Sequence, residues 1–202
     1  VLRSLPNLYV DERDFKLILS TNGPEVEYKV SKSAELQHET VDEKRIHHLE
    51  VEEGDEPPRK ILIVSAPLSS FQNDFPDDYV KLVETMNNEL QYWGEQNKNA
   101  DDSLSMDEIA KLRISIVYPS GIETQQNGVL SVKFAVSHAS IEVPVIIDGP
   151  FFLIPNRLSL DDQQKNANRG DGKIWNETLL KFSRHLYNSS ISVILGHQGN
   201  YN

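Results

Sequence analysis

Cysteine is missing from all 202 residues, which removes disulfides, thiolate nucleophiles and cysteine-ligated zinc or iron–sulfur centres together. That absence assigns no compartment, because cytosolic and lumenal domains both occur without cysteine. Basic residues are outnumbered: 20 Lys and Arg stand against 31 Asp and Glu, a net charge of −11. A phosphate-binding surface needs clustered Lys and Arg, so nucleic acid and anionic membrane surfaces are disfavoured as partners. No apolar run is long enough to insert into a bilayer. The greasiest region, residues 143–155, is cut by Asp148, Gly149 and Pro150. The amino terminus lacks the basic, apolar and small-residue order of a signal peptide. Because it begins at Val1 rather than Met, a processed form or a piece of a longer protein is expected, and an anchor or address would then lie outside this sequence. Gly149, Gly170 and Gly172 form neither a GxGxxG nor a Walker pattern, so no nucleotide cofactor is expected. There is no internal repeat.

What is present is an α/β pattern, with α+β as the variant reading. It predicts a mixed sheet carrying an N-terminal β-hairpin and two main amphipathic helices packed on it. The length suits a single domain over residues 1–202, able to bury about 70% of its unfolded surface without a staple. Within it, residues 1–33 read as the hairpin: Phe15, Leu17 and Leu19 alternate with polar neighbours, and Val26, Tyr28 and Val30 resume after Asn22-Gly23-Pro24. Residues 34–59 read as an acidic loop or insertion, where a strand over 46–51 is the alternative. Nine acids against two bases between Glu35 and Pro58 give a local balance of −7 and leave −4 for the rest.

Residues 60–202 read as the α/β core. Four runs, 60–64, 113–117, 143–147 and 191–195, are apolar and β-branched enough for strands. Asp74, Pro76, Asp77 and Asp78 start a helix whose Tyr79, Val83, Met86, Leu90 and Trp93 share a face, with Gly94 at its end. That helix is expected to be half of a strand–helix–strand crossover. Ser105, Asp107 and Glu108 start a short one. Leu130, Val132, Phe134 and Val136 alternate as one half-exposed strand. Asp171 caps a last helix carrying Trp175, Leu179, Phe182 and Leu186.

Each apolar run leads to a residue with usable chemistry. Ser65, Ser120, Asp148 and His197 would share an edge if all four strands were parallel, and a Ser–His–Asp arrangement would follow. The plainer explanation is that buried strands end in polar residues where the chain meets water. Gly196-His197-Gln198-Gly199 fails as a nucleophile elbow, because its centre is Gln198 and no helix follows. His38, His47 and His48 lie among carboxylates without the i,i+2 or i,i+4 spacing of metal ligands, so no metal is expected. Asn176-Glu177-Thr178 and Asn188-Ser189-Ser190 match the glycosylation acceptor pattern at the frequency composition alone supplies. Arg169-Gly170-Asp171 is read as loop and cap rather than as an adhesion tripeptide. Phe71, Phe75, Phe151 and Phe152 would form contact patches if they reached the surface.

The missing signatures favour a non-catalytic protein-interaction or scaffold domain of a larger protein or multi-subunit assembly, with protein partners and no cofactor. A small α/β hydrolase or transferase using the strand ends is one alternative. A lumenal or extracellular domain of a membrane protein complex is the other. Cytoplasm or nucleus is favoured over the ER lumen or exterior, and Asn-rich loops with acidic insertions point to a eukaryotic source.

Overall fold

The computed structural model describes residues 15–19, 26–32, 40–41, 44–53, 57, 59–96, 106–119, 128–132, 134–141, 143, 145–154, 159–161 and 171–199. The protein is α/β, with helices on a mixed sheet. β1 (Phe15–Leu19) and β2 (Val26–Lys32) pair antiparallel, Phe15 across from Val30 and Leu19 across from Val26. This is the hairpin that the alternation predicts, its second strand starting beyond Pro24. The turn residues 22–24 lie outside the described residues.

Part of the acidic stretch joins the sheet. A short β3 (Thr40–Val41) pairs with β4 (Lys44–Glu53), and β4 is bonded to β2 on one side and to β5 (Arg59–Pro67) on the other. Of the two readings open for residues 46–51, the strand prevails. In register, Glu52 is across from Lys29 and Glu50 across from Lys60.

After β5 come a 3-10 turn (Leu68–Phe71), α1 (Pro76–Gln96), α2 (Met106–Lys111) and β6 (Arg113–Pro119). The expected parallel crossover does not form, because β5 and β6 are antiparallel neighbours. The Leu68 N–H donates to the Leu112 carbonyl at 2.8 Å, so the helical excursion opens and closes at one end of the sheet. A strand that starts where its neighbour stopped has to run back.

β7 (Gly128–Val132), β8 (Phe134–Ile141) and β9 (Ile146–Asp148) complete the strands. Residues 130–136, expected as one strand, are split into an antiparallel pair with Val132 across from Phe134. No glycine, proline or asparagine marks the reversal, so alternation ran through it unbroken. The order across the sheet is β1-β2-β4-β5-β6-β9-β7-β8, with β3 beside β4. Among the described residues only β7 and β9 are parallel; every other pair is antiparallel.

The last helix, α3 (Gly172–Gly199), corrects the largest expectation. Residues 191–195 are helical, not a closing strand. Trp175, Leu179, Phe182 and Leu186 are fully buried, and Ser190 continues their spacing as a buried position. The Ser183 hydroxyl donates to the Leu179 carbonyl (2.7 Å) and Ser189 to the Leu186 carbonyl (3.1 Å). These hydroxyls are satisfied by carbonyls of their own helix. Extending an existing helix costs far less than starting a new element, which outweighs the β-branched preference of Ile191, Val193 and Ile194.

Residues 46, 64, 116, 147 and 130 lie directly across from one another on β4, β5, β6, β9 and β7. These Ile, Val and Leu side chains form one core with Leu62, Ala66, Ile114, Leu82 and Met86 of α1, and the buried stripe of α3. On α1 the deepest residue is Leu82, beside Met86 and Thr85, while Tyr79 and Val83 are half-buried. The expected stripe is therefore rotated by about one position. Trp175 is core as expected; the side chain of Trp93 lies outside the described residues.

Candidate functional site

Side chains alternate across a strand, and that rule decides the fate of the strand-end set. Ser65 is not at the end of β5 but inside it, between Val64 and Ala66, which face the helices. It therefore faces away from them. The register puts Arg45, Ser65, Ser115, Asp148 and Ser131 in one row across β4, β5, β6, β9 and β7. Ser65 and Asp148 are thus brought to the same face. Two inter-strand steps separate their backbones, about 10 Å, with Ser115 between them.

The row is buried at its centre, Ser65 being 1% and Ser115 2% exposed. A buried hydroxyl needs a partner. Arg113 provides one for Ser65: its Nε and Nη2 donate to the Ser65 Oγ at 3.2 and 3.1 Å, and Nη2 also reaches the Ser65 carbonyl at 2.8 Å. The Ser65 oxygen thus accepts from a guanidinium. His197 lies on α3, whose buried stripe packs against the other face of the sheet. Ser120 lies outside the described residues. The structure brings together two of the four expected residues, and it puts the helix that bears the histidine on the other side.

The four phenylalanines are bound up in packing. Phe71 is buried and stacked on Phe182, with ring centroids 4.6 Å apart. Phe151 is buried against Gly149, where a Cβ would come within 3.1 Å of its ring. Phe75 is half-buried between Phe182 and His185 (centroids at 5.6 and 5.0 Å), with the Lys181 Nζ over its ring at 4.8 Å. Lys181 also pairs with Asp78, and the His185 Nε2 lies 3.1 Å from Asp74. Phe152 is half-buried and stacked on Trp175 at 5.0 Å. Two of the four, Phe75 and Phe152, are thus partly exposed, and the other two are not. Phe71 and Phe151 are core, because the start of α3 and the 3-10 turn need aromatic volume between them and the sheet.

Asn176 has a structural task the sequence did not reveal. Its Oδ1 accepts from the Phe152 N–H at 2.8 Å, and its Nδ2 donates to the Phe152 and Asp161 carbonyls at 2.8 and 2.9 Å. The Asp161 N–H donates to the Phe152 carbonyl, and Leu153 bridges Leu160, so Asn176 clasps the base of a small hairpin. One turn of α3 makes the whole clasp. The Trp175 Nε1 donates to the Pro150 carbonyl at 2.7 Å, and a Cβ on Gly172 would lie 2.9 Å from the Asp161 Cγ. Asp171 caps this turn, its Oδ1 accepting from the Lys173 and Ile174 N–H groups at 3.0 and 3.1 Å. Asn188, the other acceptor asparagine, is exposed.

Burial raises the Tyr79 phenol above its ordinary 10.0, and burial with nearby Tyr187 raises Tyr118 likewise. Among the described residues no three His, Asp or Glu side chains gather as a metal site, and no helix is long and apolar enough to cross a membrane. His47 and His48 are successive residues of β4 and so belong to opposite faces of the sheet; His38 lies outside the described residues. The residues sequence reasoning missed are Arg113, Asp161 and the clasp role of Asn176. Their partners lie 48, 15 and 24 positions away, beyond any local pattern. No protein-family model, curated protein or solved structure matches this chain.

Proposed function

We propose that this chain is a non-catalytic protein-interaction or scaffold domain of a larger protein or multi-subunit assembly. The observation that carries the reading is the division made by the sheet. Ser65 and Asp148 stand on one face, about two strands apart, while α3 with His197 packs on the other. Proton transfer in catalysis works through contact or one bridging water, and the helix that bears His197 packs its buried stripe on the face away from Ser65. Three polar side chains hold elements together: Arg113 on Ser65, Asn176 on the Phe152 and Asp161 backbone, and Asp171 on the helix. The net charge of −11 favours protein rather than nucleic acid as the partner.

The test is affinity purification of the full-length native protein with identification and quantification of what co-purifies. A stoichiometric protein partner, retained when Ser65→Ala and Asp148→Asn are introduced, is expected. A native protein that runs as a lone chain and hydrolyses ester or amide probes in a manner abolished by Ser65→Ala would overturn the reading.

A further inference from the structure

We draw no further inference here: the strongest candidate, the face of the sheet turned away from α1 and α3, on which Leu49, Val51, Ile61, Ile63 and Val117 fall by register beside Ser65 and Ser115, carries nothing, because Ile61, Ile63 and Val117 are already buried and nothing in the structure shows what covers them.

Discussion

The two faces of the central strands are built on different principles. Toward α1 and α3, the ladder Ile46–Val64–Ile116–Ile147–Leu130 and its neighbours are apolar and close-packed. On the other face, one row lower, Arg45, Ser65, Ser115, Asp148 and Ser131 line up across the same strands. The first face is stabilised by burial that scales with area and is indifferent to direction. The second also buries Ile61, Ile63 and Val117, and among them it sets hydrogen bonds whose geometry has to be met, because a buried hydroxyl without a partner costs about 1–3 kcal/mol. A strand reading from composition sees both faces as one apolar run. The difference lies in alternation and register, which set Ser65, Ser115 and Asp148 in one row on the face away from the helices.

The comparison breaks most readily from the apolar side. Phe182→Ala removes a ring stacked on Phe71 and against Phe75, and a loss of about 3–5 kcal/mol is expected for a buried aromatic, read by urea denaturation. Next comes the clasp. Asn176→Ala strands the Phe152 N–H and the Asp161 carbonyl, while the Phe152 carbonyl keeps the Asp161 N–H, for a loss of about 2–3 kcal/mol. Asn176→Asp should be worse, since it sets a carboxylate against two carbonyl oxygens. Equal effects would mean that the amide does not act as a donor there. Gly172→Ala, which pushes a Cβ onto Asp161, should cost about 1–3 kcal/mol.

On the polar row, Ser65→Ala leaves Arg113 with one acceptor fewer but keeps the bond to the Ser65 carbonyl. The expected loss is about 1 kcal/mol, well below the Phe182 effect; a loss as large would place this row in the main core. A smaller and pH-dependent effect comes from the tyrosines. Both Tyr79 and Tyr118 are raised above 10.0 in the folded state, so the unfolded chain ionises first. The tyrosine contribution to stability should be level below pH 10 and fall as pH rises through that value and beyond. Tyr118→Phe should flatten part of the fall, as followed by denaturation at stepped alkaline pH. The smallest effect is expected for Lys181→Ala, whose pairing with Asp78 is half-exposed; surface pairs of this kind contribute about 0–1 kcal/mol.

Much of the architecture was legible from local pattern. The hairpin, the run inside β5, the Asp171 cap and the stripe Trp175–Leu179–Phe182–Leu186 all follow from periodicity and capping, which act within a few residues. The failures share a cause. Residues 191–195 carry a strand composition but belong to a helix that was already under way. The reversal between Val132 and Phe134 has no turn residue to announce it. The direction of β6 was set by a bond from Leu68 to Leu112, 44 positions apart. For the candidate site the same distinction holds. Ser65 and Asp148 could be named from their strands, yet which face they occupied depended on sheet order, and the Arg113 contact depended on pairing between β5 and β6.

Because the chain has no cysteine, engineered pairs report this geometry without background. The most direct measurement is the disulfide yield of Ser65→Cys/Ser115→Cys against Ser65→Cys/His197→Cys under mild oxidation of the folded protein. The account predicts ready cross-linking of the first pair, which are direct cross-strand partners, and none of the second, which the sheet keeps apart. Efficient linkage of 65 to 197 would put serine and histidine on one side and contradict the division on which the functional reading rests.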